Sequence, residues 1–482
     1  MASRRRSHAT SVADDTSASL TWSSRPSRKR KSLNSQRFAI VACLALGFLA
    51  TPLALLRYGL SHQSHPDTHQ HQPAPTLHEN MERNPVDETK YHVVFSTDCS
   101  EYHNWQSYAF FFHAEKVGQP GTITRIASGC SAKEEKEMED FHYHRIESMS
   151  GRFKIHFTPS YANVDGTSTF PYFNKPFGLR HWMEHVLGFP KRQDDDDAII
   201  ILLDPDMILT RPLTRTFNQS DKWKDQSIKT FTVDHGKPAA QLYLLDSKWL
   251  TWDLEKIVGP NSSALTVSND EALEYYQVGP PYLATAKDMY QIARKWTAFA
   301  VPTKHVFPDM LAEMFAYIIA TAHLNLPHTL SQSFMFSDTK IQYTEPWDWI
   351  ESEPPERLCT RRYEGKLPNV LHYCQPYEFQ GFQFYKAKLK TRIHKCSHPL
   401  LEEPTTSIMD GFNWSTPHDT LKFRHPTRKD GWAIRVNHRE AFMTCQLIFK
   451  LNDAMEHYRM HACRHDGNTS KTFRLADVDL NF

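Results

Sequence analysis

Asp204 and Asp206 stand one residue apart, directly after the apolar run Ala198-Ile199-Ile200-Ile201-Leu202-Leu203. Two carboxylates at that spacing suit a hard divalent cation, which takes oxygen ligands and commonly holds substrate phosphates as well. A cation held there neutralises the negative charge that develops on a diphosphate as a bond to it breaks. His372 closes the short apolar segment Val370-Leu371. It offers an imidazole as a third ligand, a choice that favours Mn²⁺ over Mg²⁺, although a single His in that position is more often structural. Asp194 to Asp197 contain the same Asp-x-Asp letters but precede the apolar run, and read as a solvated charged turn. His181-Trp182-Met183-Glu184-His185 matches the inverted zinc-peptidase pattern, with both His on one side of a helix. A peptidase using His181, Glu184 and His185 is therefore an alternative, weakened by the 27 His of the chain, which make chance matches common.

These groups need a scaffold. A strand buried on both faces reads as an unbroken apolar run, so residues 198–203 form a central strand of a parallel sheet, with the Asp pair at its carboxyl end. That end is where open α/β sheets bind ligands. Together these features match the Asp-x-Asp arrangement of nucleotide-sugar glycosyltransferases. Residues 91–96 predict a first strand, 104–117 a helix with Trp105, Tyr108, Phe111 and Phe112 toward the core, and 121–129 a second strand. A helix over 176–187 follows, with Pro176 in its first turn. The alternation of strand and helix predicts an α/β fold. A further helix over 309–323 has Leu311, Phe315, Ile318, Ile319 and Ala322 on one face. Asp309 and Glu313, four apart, fall on one side of it and are candidates to face a reacting sugar or orient an acceptor; the plain alternative is a solvated helix face. Trp347 and Trp349 form either an aromatic wall or core.

Across its 482 residues the chain carries 56 basic and 55 acidic side chains, a balance that points to no nucleic-acid partner. Residues 1–37 are Ser-rich and basic, the composition of a disordered cytoplasmic tail. Residues 38–56 contain no charged side chain and lie between Arg37 and Arg57, which predicts an uncleaved transmembrane signal anchor rather than a signal peptide. The excess of Lys and Arg on its N-terminal side orients the rest of the chain into a lumen. Residues 57–90, rich in His, Gln, Pro and Thr, read as a stem; the alternative is a metal tract at His62, His65, His69, His71 and His78. Residues 91–400 form the catalytic domain and 401–482 a C-terminal extension with one helix near 440–460. Asn218, Asn261, Asn413 and Asn468 begin glycosylation acceptor patterns. Downstream of the anchor are Cys99, Cys130, Cys359, Cys374, Cys396, Cys445 and Cys463, so one remains unpaired if the others join in disulfides. No Cys-x-x-Cys occurs, which argues against a thiolate zinc site.

Several segments occur in an order that identifies a family. They are Thr97-Asp98 with Asn104-Trp105-Gln106, Gln119-Pro120-Gly121, Asn174-Lys175-Pro176, His181-Trp182 with Glu184-His185, Leu203 to Ile208, Glu313-Met314, Pro346-Trp347-Asp348 and Leu371-His372-Tyr373. Over residues 91–390 the chain resembles the hydroxyproline O-arabinosyltransferases and peptidyl serine α-galactosyltransferases of plants and algae. The resemblance implies a single-pass type II membrane enzyme of the Golgi, or of the endoplasmic reticulum, with a GT-A-like (Rossmann-like) domain. It implies metal-assisted, retaining transfer of galactose or arabinofuranose from a UDP-sugar to a Ser or hydroxyproline hydroxyl of a protein or peptide. In that comparison Asp204, Asp206 and His372 match the metal ligands, Asp204, Lys175 and Asn174 fall on the donor side, and Glu313 matches a Trp-x-x-Glu-Met segment. Met310 stands where that Trp would be. An inactive lectin or scaffold of the same fold is the third reading, favoured by Met310 and opposed by the intact Asp pair.

Overall fold

A computed structural model describes residues 89–166, 169–220, 228–341, 344–389, 393–415, 431–463 and 472–478. The proposed anchor at 38–56, the His tract, and Asn468 lie outside the described residues. Among the described residues no helix is long and apolar enough to cross a membrane.

The centre is a seven-stranded mixed sheet. In chain order its strands are β1 (Tyr91–Thr97), β2 (Thr122–Ser128), β3 (Phe153–Thr158), β4 (Ile199–Leu203), β6 (Ala239–Leu242), β7 (Val278–Thr285) and β8 (Thr329–Ser331). In space they run β8-β6-β7-β4-β1-β2-β3. β4 pairs parallel with β1, as a central parallel strand should, but antiparallel with β7. The run Ile199–Leu203 is unbroken because both of its faces are covered. Ile199, Ile201 and Leu203 enter one core, which they share with Val93 and Phe95. Ile200 and Leu202 enter the other, which they share with Val94 and Ile126.

Helix α1 (Glu101–Lys116) lies in the first core, with Trp105, Tyr108, Phe110 and Phe111 buried and Phe112 half-buried. Helices α2 (Asn174–Trp182), α3 (Ala286–Val306) and α4 (Ala312–His323) build the second. The predicted helix over 176–187 is α2 prolonged by a wider π turn at Met183–Leu187, which ends at the left-handed Gly188.

A small second sheet sits beyond β4. β5 (Met207–Leu209) pairs antiparallel with β10 (Val370–His372), which pairs parallel with β9 (Met335–Phe336). Trp347 is core, stacked on Phe336 with ring centroids 4.1 Å apart; Trp349 is half-buried against the same ring.

The C-terminal part is not a separate extension. Helix α5 (Trp432–Ala462) places Phe442, Leu447, Leu451 and Met455 in the same core as β1 and β4. Its apolar side needs cover, which α1 and the hairpin Tyr377–Phe379/Phe382–Phe384 supply from the same core. Disulfides Cys359–Cys445 and Cys396–Cys463 fasten α5 at two points, and Cys99–Cys130 joins the ends of β1 and β2. Among the described residues Cys374 is the cysteine outside a disulfide.

His113 of α1 is fully buried and bonds the Lys450 carbonyl of α5 through Nε2 at 2.8 Å. Burial pushes its pKa down to about 3, and that of His328 likewise to about 3. Both are neutral in the folded chain, while an unfolded His takes a proton near pH 6.5. Their stabilisation is therefore intact above pH 6.5 and is lost as pH falls toward 3, by up to about 1.4 kcal/mol per pH unit for each group. We expect the thermal midpoint to fall from pH 7 to pH 5, and His113→Gln, which keeps a donor but cannot titrate, to flatten that fall.

Candidate active site

Asp204 directly follows β4, and Asp206 immediately precedes β5. Antiparallel register sets His372 opposite Met207, and the Tyr373 N–H bonds the Asp206 carbonyl at 3.0 Å. Backbone pairing thus brings together residues far apart in sequence. Ligand atoms of Asp204, Asp206 and His372 all lie within 4.8 Å of one another. Asp206 and His372 are buried and Asp204 is partly exposed. Two carboxylates and an imidazole, with the Asp204 carboxylate partly exposed, fit a divalent cation.

The carboxylates have internal counter-charges. Lys175 at the start of α2 places Nζ 2.7 Å from Asp204 and 3.6 Å from Glu313. Lys386, at the start of a short helix after the Tyr377–Phe379/Phe382–Phe384 hairpin, pairs with Asp206 Oδ2. His372 Nε2 meets Asp206 Oδ1 at 3.2 Å. Burial pushes the Asp206 carboxyl up, but Lys386 and His372 outweigh it and hold the group well below the usual carboxylate range. Burial pushes the Lys175 ammonium down, but Asp204 and Glu313 outweigh that and hold it above its ordinary value.

Glu313 lies in the first turn of α4, fully buried. Trp296 of α3 donates its indole N–H to the Glu313 carbonyl at 2.8 Å, which fixes the start of the helix. Burial raises the Glu313 carboxyl to about 7; Lys175 works against that rise and Asp204 adds to it.

Asp309 does not share that helix face. It lies in the turn before α4, and its Oδ1 accepts the Leu311 N–H at 3.0 Å, a turn contact made possible by Pro308 breaking the helix there. Asn174 Oδ1 accepts the Tyr161 N–H at 2.8 Å, so this side chain ties a loop to the base of α2 and thereby steadies Lys175.

The peptidase triad is not assembled. His185 Nδ1 bonds the His181 carbonyl at 2.8 Å, and the two rings stack at 3.8 Å. His181 Nδ1 also meets His156 Nε2 at 2.9 Å. Glu184 is taken by Arg180 at 2.8 Å and Tyr290 at 3.1 Å. Among the described residues, Asp204, Asp206 and His372 form the one group of three placed to hold a metal. The π turn and these local contacts explain why the spacing fails.

Sequence reasoning missed Lys386 and Tyr243. The Tyr243 hydroxyl is 3.4 Å from His372 Nδ1. Its ring lies against the backbone at Gly279, where a Cβ would come within 2.1 Å of the ring, so the adjoining strand needs glycine there. Neither residue has a local sequence signal, since each reaches the site through tertiary packing.

Similarity to known proteins adds a second line of support. No family model matches the chain. It is 25% identical over 357 residues to a peptidyl serine alpha-galactosyltransferase of Arabidopsis thaliana, covering 67% of this chain and 36% of that protein. A protein of the same name from Chlamydomonas reinhardtii is 30% identical over 125 residues, covering 26% of this chain and 15% of the relative. The chain is a relative of the peptidyl serine α-galactosyltransferases. It spans well under half the length of either curated relative. Among solved structures, the galactosyltransferase LgtC in complex with donor and acceptor sugar analogs aligns at a TM-score of 0.36 and 14% identity, over 60% of this chain and 88% of that one. The bifunctional glycosyltransferase WbbM aligns at a TM-score of 0.32 and 13% identity, over 61% and 47%.

Removing Lys175 would leave the partly exposed Asp204 and the buried Glu313 without their shared cation. Breaking a buried pair from one side costs about 3–5 kcal/mol. Lys175→Met should lose stability on that scale in urea unfolding. Adding Glu313→Gln should recover part of the loss, because the double variant leaves one fewer uncompensated charge.

Proposed function

We propose that the chain is a metal-dependent glycosyltransferase with a GT-A-like domain that moves a sugar from a UDP-sugar to a protein hydroxyl. The observation that carries this reading is the convergence of Asp204, Asp206 and His372, from the ends of two sheets, beside two lysines and a buried glutamate. The curated relatives' name supports galactose as the sugar and a serine hydroxyl as the acceptor. Arabinofuranose and hydroxyproline are the competing pair.

Asp204, Asp206 and His372 would hold the cation, best as Mn²⁺, and the cation would supply charge neutralisation for a departing diphosphate. Lys175 and Lys386 stand on either side of the Asp pair as ammonium donors for phosphate oxygens, since Lys acts as a point-charge phosphate binder. Glu313 faces the same space from α4. With its carboxyl raised to about 7 by burial, it is poised to accept a hydrogen bond from the sugar or to offset positive charge growing on it. Retention of configuration is the outcome that the family resemblance implies for this transfer.

We place the domain in the lumen of the Golgi, held as a type II protein by residues 38–56. The supports are the basic flank before that segment, the three disulfides, and the exposure of Asn218, Asn261 and Asn413.

The test is UDP release by the full-length chain from a panel of UDP-sugars, with serine and hydroxyproline peptides, with and without Mn²⁺. UDP-galactose with a serine peptide should give turnover that chelation abolishes. Asp206→Asn should lower turnover by at least about a hundredfold, the scale of losing one charge-stabilising group. Turnover unaffected by chelator would refute the metal assignment.

A further inference from the structure

Both oxygens of the Asp206 carboxylate are engaged. His372 Nε2 takes Oδ1 at 3.2 Å, and the Lys386 ammonium takes Oδ2. The carboxylate is buried, so these contacts act in a low-dielectric surrounding where charge pairs are strong and unmatched charge is costly. Lys175 stands in the same relation to Asp204. Two ammoniums thus face two aspartates, with His372 beside Asp206 and Glu313 beside Lys175 as the further charged partners.

The two lysines are not equivalent. Lys175 is held between Asp204 and Glu313, with its side chain 15% exposed. Lys386 is more open, at 26%, and its ion-pair partner among the described residues is Asp206. The backbone that carries it is anchored independently. The Lys388 ammonium bonds the Leu475 carbonyl at 3.0 Å, and the preceding hairpin packs on α5, where the Glu378 N–H bonds Glu440 Oε2 at 3.0 Å. A fixed base, a flexible four-carbon stem and a partly exposed side chain allow the ammonium to move while the backbone stays in place.

We propose that Lys386 is a resident counter-ion which a divalent cation must displace from Asp206, so that cation and nucleoside diphosphate bind this site as a coupled pair. This rests on the metal reading given above. A dication entering alone adds two positive charges beside two ammoniums. A diphosphate entering with it offsets that excess and gives the Lys386 ammonium new oxygens once it leaves Asp206. Lys386 thus has two opposed effects, hindering the lone cation and helping the pair.

Binding measurements on the full-length chain separate these effects without turnover. Free Mn²⁺ is followed by its electron paramagnetic resonance signal, with and without saturating UDP. Wild type should bind Mn²⁺ at least about tenfold more tightly when UDP is present, within the usual range of coupling between sites. Lys386→Met should bind Mn²⁺ alone more tightly than wild type and lose most of the gain from UDP. Lys386→Arg should keep the gain. Lys386→Gln is measured alongside, so that the same outcomes can be read if the Met variant does not fold. Equal or weaker Mn²⁺ binding by the neutral variants without UDP, or an undiminished gain with it, overturns the proposal and leaves the metal site standing. No Mn²⁺ uptake by wild type in either condition overturns the metal reading and this proposal together.

Discussion

Burying carboxylates is the constraint around which this chain is organised. A strand covered on both faces delivers Asp204 and Asp206 to the edge of an apolar interior, where an uncompensated charge would cost several kcal/mol. Each carboxylate is answered by a cation from a different part of the chain. Lys175 arrives on α2, from the second core; Lys386 arrives behind a hairpin that leans on α5, from the first. His372 arrives through strand pairing with β5. The electrostatics of one short loop therefore require both cores and both sheets to be in place.

This arrangement accounts for an otherwise odd distribution of burial. Glu313 is almost completely hidden, yet its carboxyl makes its closest charged contact with an ammonium 3.6 Å away. A loosely held acid in such a place is poor for stability and useful for chemistry, because its charge responds strongly to whatever enters beside it. Asp309, with its oxygen committed to a turn, has no such freedom.

What can be read from the chain follows from the range of the forces involved. The run 199–203 and the Asp pair after it are local, and an unbroken apolar stretch of that length, closed by charge, fits a strand covered on both faces. His372 is legible as a strand-end imidazole, and the family resemblance supplies its partners; the register of β5 against β10 gives the physical cause. Asp309 is misplaced by spacing because a four-residue interval implies a shared helix face only where the helix has already begun, and it begins at Ala312. The His181 motif fails for a related reason, since a π turn replaces regular helix from Met183 onward. Lys386 and Tyr243 cannot be found by spacing at all. Their positions depend on a hairpin packed on α5 and on a strand whose glycine admits an aromatic ring. The tail reads as independent for the same reason, because a helix covered by a distant partner looks like a separate element in one dimension.

The disulfides of the C-terminal region have a consequence for the site. Cys359–Cys445 and Cys396–Cys463 pin α5, and α5 supports the hairpin from which Lys386 extends. The placement of one counter-ion is thereby linked to thiol oxidation at positions remote from it. Reduction of those two disulfides would loosen the support beneath that lysine while leaving the aspartates and their strand in place, so one charge of the site is tied to covalent bonds that lie outside it.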